Sequence, residues 1–233
     1  MRPRRSAASV LLLAALVAGA CRTLAPPAPL PANWRELAAA PAPFAALYRL
    51  SCCGQRNLVL IARGDAGHLS VSVAVPPGGQ ALAAWVDASG GWVSRGKEGC
   101  REALPEGVLP LSPKASVPLD PELAGRLLSG LLPENAAELP NSPGWVEGSG
   151  GGLWWRARVE GPTPRCTRVI VGRPGSETPV LNADLGDPRG QVPGKLLLRS
   201  GGVKAELALQ EWRQSETPSP PGWLGQPVCP GRS

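Results

Sequence analysis

Histidine, tyrosine, phenylalanine and methionine each occur once in these 233 residues. The side chains that most often act as general bases are therefore nearly missing, and His68 by itself cannot assemble a metal site. There is no C-x-x-C pair for redox work and no G-x-S-x-G elbow for a nucleophilic serine. Gly148-Ser149-Gly150-Gly151-Gly152 is glycine-rich, but it lacks the Lys-Ser/Thr ending that grips a phosphate. The carboxylates Asp65, Asp87, Glu147, Asp184 and Asp187 fall mostly in turns, where no acid/base pair can be located. Catalysis is not expected, and no cofactor or metal is called for. Beyond residue 20 no apolar run is long enough to span a bilayer.

What the chain does have is a distinctive beginning. Arg2, Arg4 and Arg5 precede an apolar run built on Leu11, Leu12, Leu13, Leu16 and Val17, which is the pattern of an export signal. The small residues Ala18, Gly19 and Ala20 follow, suited to a peptidase cleft, and then Cys21. This segment resembles the lipobox of bacterial lipoproteins, although that family most often has leucine where Ala18 stands. The resemblance implies that residues 1–20 are removed and that Cys21 becomes an acylated N-terminus. Two or three acyl chains hold a protein where one binds only marginally. Ordinary secretion with cleavage near Ala20, or a retained membrane helix, are the alternatives. Arg22 replaces the aspartate that usually retains such lipoproteins in the inner membrane. The expected location is thus the periplasmic face of the outer membrane.

Removing the leader also changes the charge. The formal net charge is +6, and Arg2, Arg4 and Arg5 account for half of it, leaving +3. Arg156, Arg158, Arg165 and Arg168 cluster near one pair of expected strands, but no recognition helix or aromatic-interleaved basic patch accompanies them. A solvated sheet face is the better reading, and nucleic acid is not an expected partner. Cys52, Cys53, Cys100, Cys166 and Cys229 remain beyond the leader, which fits an oxidising compartment. Two bridges and one free thiol can be drawn among them in fifteen ways. The expectation is that Cys100 joins Cys52 or Cys53, and that Cys166 joins Cys229.

Gly 29 and Pro 28 together are about twice ordinary usage. Apolar segments recur between their clusters as far as Trp212, so the glycines and prolines mark frequent turns. Residues 21–32 form the lipidated cysteine and a Pro-rich tether. Asn33 and Glu36 suggest a capped short helix ended by Pro41 and Pro43. Residues 33–213 read as a single β-rich domain, and 214–233 as a Pro-rich tail, pinned by a disulfide. Period-2 alternation marks strands at Leu58 to Arg63, Leu69 to Val75, Ala81 to Asp87 and Trp92 to Arg95. It returns at Leu153 to Glu160, Thr167 to Val171, an edge strand at Pro179 to Asp184, Lys195 to Arg199 and Val203 to Trp212. The phase of Trp212 requires a bulge or a strand end. One amphipathic helix is predicted over Pro121 to Leu132, capped by Asp120, with Leu123, Leu127, Leu128 and Leu131 on one side.

The fold class expected is therefore mainly β: a large curved antiparallel sheet or incomplete β-barrel with a helical lid. Leu109-Pro110-Leu111, Pro121-Glu122-Leu123, Leu127-Leu128-Ser129-Gly130-Leu131-Leu132-Pro133 and Gln191-Val192-Pro193-Gly194-Lys195 before a Val-Lys-Ala-Glu-Leu-Ala-Leu strand are similar to the lipoprotein-carrier and receptor superfamily of LolA and LolB. The resemblance covers about residues 35–213. It implies an apolar interior that holds lipid or lipoprotein acyl chains. On that reading Leu123, Leu127, Leu128 and Leu131 line the lid, and Val71, Val73, Trp155, Val159, Leu207 and Leu209 line the sheet. The partners would be the membrane, reached through acylated Cys21, a hydrophobic ligand and a periplasmic carrier protein. The same residues would equally form a dry core. The alternative function is a structural or assembly lipoprotein gripping a protein partner through Trp85, Trp92, Trp145 and Trp154.

Overall fold

The structure is a computed structural model, and it describes residues 28–230 apart from 78, 88, 96–98, 105–107, 113–114, 119–120 and 151. The leader, Cys21 and most of the tether lie outside the described residues, as does Asp120, the expected helix cap. No helix among the described residues is long and apolar enough to cross a membrane.

Strands β1 (Phe44–Cys52), β2 (Gln55–Gly64), β3 (Leu69–Val75), β4 (Gly79–Asp87), β5 (Gly90–Ser94) and β6 (Arg101–Ala103) follow a short 3-10 helix, Trp34–Ala38. A small hairpin, β7 (Leu109–Ser112) and β8 (Ala115–Val117), leads to helix α1 (Pro121–Leu128). The second run is β9 (Ala137–Glu138), β10 (Trp145–Gly150), β11 (Leu153–Glu160), β12 (Arg165–Gly172), β13 (Pro179–Gly186), β14 (Lys195–Ser200) and β15 (Val203–Gln214). Thirteen of these form one antiparallel sheet in the order β6-β5-β4-β3-β2-β1-β15-β14-β13-β12-β11-β10-β9. Each half is a meander, and the β1–β15 pairing joins them. The sheet is not closed, because β6 and β9 are its two ends.

Alternation decides which side is packed. Tyr48, Leu50, Leu60, Val71, Val73, Leu82, Val159, Leu181, Ala183, Leu207 and Leu209 point to one face and are buried. At the β1–β15 seam the register shifts so that Leu47 faces Glu211 while Tyr48 faces Leu209, leaving Gln210 as the extra residue. This bulge is what the Trp212 phase required. It returns Trp212 to the packed side, where its ring stacks on Phe44 at 4.6 Å.

Several elements differ from the pattern reading. The edge strand expected at Pro179 is β13, an internal strand between β12 and β14; Pro179 is tolerated because it is the strand's first residue, beside a register shift. The glycine-rich stretch after Glu147, not among the expected strands, begins within strand β10. A Cβ on Gly148 would lie 2.3 Å from the Trp155 ring, and one on Gly172 would lie 2.0 Å from the Trp154 ring. Glycine is needed where these indoles lie across neighbouring backbone. The Asn33 side chain does not cap a backbone amide; its Nδ2 donates to Glu36 Oε2 at 3.2 Å.

The disulfide also differs. Cys100 is bonded to Cys229, while Cys52, Cys53 and Cys166 are free, so both expected pairings are corrected. The reason is topological. The tail leaves β15, where the Ser215 amide donates to the Pro43 carbonyl, and reaches the far end of the sheet at β6. There the Arg101 amide donates to Pro227 O at 2.9 Å and the Cys229 amide to Arg101 O at 2.8 Å. The tail is thus a strap that pairs with an edge strand otherwise open to other chains.

Candidate functional site

The concave face of the sheet is filled by three pieces. The hairpin β7–β8 packs against β4 and β15, so it lies across the strands between them. Its Leu109, Leu111 and Val117 are buried. Helix α1 packs on β3, burying Leu123, Ala124, Leu127 and Leu128, each leucine contributing about 1.5–3 kcal/mol. The 3-10 helix adds Trp34 and Leu37.

α1 ends sooner than the periodicity suggested. The Leu131 amide donates to Arg126 O at 2.8 Å and the Gly130 amide to Leu127 O at 3.0 Å, with Gly130 at φ +74°. These two bonds and the left-handed glycine are a Schellman stop. Leu131 therefore sits past the helix and is only half-buried, and Leu132 enters the core in its place. Sequence periodicity continues through the stop, so it could not reveal it.

Arg126 holds the plug together. Its side chain is 4% exposed, with Nη1 donating to Leu132 O at 3.0 Å and Ala39 O at 3.3 Å. Nη2 reaches Glu134 at 3.1 Å and Nε reaches Glu122 at 3.3 Å. One guanidinium thus ties α1, the segment after it and the end of the 3-10 helix, and the Leu132 amide donates to Leu37 O at 2.7 Å. The plug meets the sheet through hydrogen bonds that include Tyr48 Oη to Leu128 O at 3.4 Å, Trp34 Nε1 to Glu138 of β9 at 3.4 Å and, from the segment after α1, Asn135 Nδ2 to Ser149 O of β10 at 2.6 Å. Burial pushes the Tyr48 phenol well above its ordinary range, so it stays a neutral donor.

Beneath α1 is a cavity of about 20 Å³, barely one water in size. Its lining is wholly apolar and includes Leu60, Val71, Leu111, Leu127, Leu196 and Leu207. Of the residues expected at the lid and sheet lining, Val71, Leu127, Leu128 and Leu207 surround this space. Val73, Val159 and Leu209 are buried in the same core without reaching it. Leu123 and Trp155 instead border an open groove of about 210 Å³ at the rim, with Glu122 and Pro133. Leu109, Leu111, Leu60, Ala124, Leu196 and Leu198 also line the site, although the sequence did not mark them as lining residues. Their alternation or the Leu-Pro-Leu motif was the available signal.

A second rim cleft, about 310 Å³, lies between the β2–β3 turn and α1, and it contains Asp65, His68, Asp87 and Glu122. Burial raises the Asp65 carboxyl, but amide bonds from Gly67 and His68 and the His68 ring outweigh it and hold the group below its ordinary value. Among the described residues no cluster of three or more His, Cys, Asp or Glu could hold a metal. Several cations of the outer face are paired with carboxylates. Arg156 pairs with Glu147, Arg158 with Glu160, Arg168 with Asp184, and Lys195 with Glu206. These exposed, solvent-screened pairs contribute little to stability and make the face mixed in sign.

The tryptophans proposed as exposed anchors are not free. Trp85 is 1% exposed, on the opposite face from Leu82. Its Nε1 donates to Asp87 at 2.8 Å. Ala83 and Ser94 share that outer face and are also buried, and Ser94 Oγ donates to Gln226 of the strap. Trp92 is covered by the Arg101 guanidinium at 4.1 Å, and Trp154 Nε1 donates to Arg173 O and Ser176 O. Trp145, also half-buried, forms part of β10.

The class of protein defined by this geometry is an open antiparallel half-barrel whose concave, apolar side is plugged by a hairpin and two short helices. Among solved structures it is similar to a LolA superfamily protein from Nitrosomonas europaea, with 10% identity over 80% of this chain and 94% of that one and a TM-score of 0.48. It is also similar to a β-barrel-like protein of a domain of unknown function from Brucella abortus, with 11% identity over 76% and 99% and a TM-score of 0.35. Both are likenesses of overall shape. No family model matches the chain, and no curated protein matches it in sequence.

Proposed function

We propose that this chain is an exported, non-catalytic lipoprotein, anchored through acylated Cys21 at the periplasmic face of the outer membrane. It binds or passes on a hydrophobic cargo such as lipid or lipoprotein acyl chains, received from the membrane or a periplasmic carrier protein. The observation that carries the reading is the wholly apolar space under α1, closed by a plug that Arg126 ties together. Cargo enters by displacing the plug, since about 20 Å³ admits no acyl chain. The internal bonds of Arg126 let the plug move as a unit once its bonds to Tyr48, Glu138 and Ser149 are released.

The reading as a grip for a protein partner has less support, because Trp85, Trp92 and Trp154 are engaged within the chain. Native mass spectrometry on protein extracted from membranes in mild detergent tests the proposal. The expected result is a lipid adduct beyond the N-terminal acyl chains, exchangeable for a fluorescent fatty acid. A ligand-free protein that takes up no acyl probe overturns it.

A further inference from the structure

Two free thiols, Cys52 at the edge of the apolar core and Cys53 outside it, meet at the β1–β2 turn. Cys52 ends β1 with its residue buried, and Cys53 follows it exposed. Cys52 is registered opposite Gln55, so Cys53 and Gly54 are the two central residues of a two-residue hairpin, at φ +56° and +79°. Positive φ at both positions is the type I′ pattern, for which Asn-Gly is the favoured pair. A cysteine there accepts a left-handed backbone that a strand residue avoids. In a continuing strand the two side chains would point to opposite faces. Here both line one open cleft of about 410 Å³, together with Arg56, Lys204 and Glu206. Burial first, and then the neighbouring Cys53 thiol, push the Cys52 thiol up to about 12. Glu206 of this cleft is paired with Lys195 at 2.8 Å, and the cations Arg56 and Lys204 stand on its rim. Among the described residues neither thiol has another sulfur to bond, because Cys100 and Cys229 are joined and Cys166 is buried within β12.

We propose that Cys52 and Cys53 form a thiol–disulfide exchange site that closes to a vicinal disulfide on meeting an accessible disulfide, the class of oxidant being a protein or small-molecule disulfide. Cys53, as thiolate, attacks one sulfur of the oxidant, forming a mixed disulfide while the first thiolate leaves with its electron pair. Cys52 then loses its proton to water and attacks the Cys53 sulfur, and the second thiolate leaves. The protein dithiol has lost two electrons and two protons, and the oxidant has become two thiols. The deep position of Cys52 makes Cys53 the attacking group and Cys52 the resolving one. The site does not depend on the cargo reading and is tested separately from it.

The test uses the full processed protein and the aromatic disulfide 5,5′-dithiobis(2-nitrobenzoate). Trypsin cuts after Arg49 and Arg56, so peptide 50–56 carries both cysteines and no others. The expected result is release of two thionitrobenzoates per chain, no adduct retained, and peptide 50–56 lighter by two hydrogens. A protein that already yields the lighter peptide before treatment supports the inference directly. Cys52→Ser should release one thionitrobenzoate and keep the adduct at Cys53, and Cys53→Ser should release none. If either variant fails to fold, the wild-type peptide mass still decides. A stable adduct on wild-type Cys53, a covalent dimer through it, or two unreacted thiols overturns the proposal.

Discussion

Gly125 and Gly130 look alike in the sequence, two glycines inside one apolar periodicity, yet the structure gives them opposite roles. A Cβ on Gly125 would meet Leu69 Cδ1 at 3.9 Å, an ordinary contact, whereas on Gly130 it would lie 2.1 Å from the Gln191 carbonyl oxygen. Gly125→Ala should raise stability by up to about 1 kcal/mol, because alanine fits and favours helix. Gly130→Ala should lower it by more than about 1–2 kcal/mol, the left-handed cost alone, with the backbone clash added. Thermal denaturation of the two variants checks the signs. A second residue-scale effect concerns pH. Hydrogen bonds from Ser89 and Trp85 depress Asp87, while those from Gly67 and His68 outweigh burial at Asp65. A carboxyl depressed in the folded state stabilises it above the unfolded pKa and loses that contribution as pH falls through the folded value. Melting temperature should therefore drop below about pH 4. Asp65→Asn should flatten part of that drop in a pH series.

At the scale of elements, the strap and the plug are the parts that alternation did not reveal. The strap has no regular pattern, only Pro-rich chain, and its place follows from pairing with β6 and from the Cys100–Cys229 bond. With 129 residues of separation, Cys229→Ser should cost about 3–5 kcal/mol in denaturant unfolding, on the loop-entropy account of disulfides. Hydrogen exchange should accelerate first in β5 and β6, whose edge the strap covers. Unchanged exchange there would show that the strap is not what protects the edge. The hairpin β7–β8 is too short to show alternation, and its strand character comes from burial across the concave face.

At the scale of the whole molecule, the proposed function rests on whether the interior can exchange its filling for cargo. Ala124 faces the small cavity under α1. Ala124→Phe should overpack it at about 1–3 kcal/mol and weaken acyl-probe uptake at least tenfold, roughly the 1.4 kcal/mol equivalent. A fluorescence titration with a fatty-acid probe measures this directly. Uptake unchanged in a folded Ala124→Phe protein would place cargo somewhere other than beneath α1.

Much of the strand inventory was legible because alternation is written locally: Leu69 to Val75, Leu153 to Glu160 and Val203 to Leu209 each carry their buried face in their own residues. The bulge at Gln210 was legible too, as a phase error at Trp212. The partner of Cys229, the helix stop at Gly130, the need for glycine under Trp154 and Trp155, and the filling of the concave face were not. Each depends on atoms far apart in the chain being brought within a few ångströms, and local periodicity holds no record of them. The sequence by itself determined a mainly β chain with a helix to lay across it. Only the tertiary structure decided that the hollow is plugged, because closure is a matter of volume and of long-range pairing.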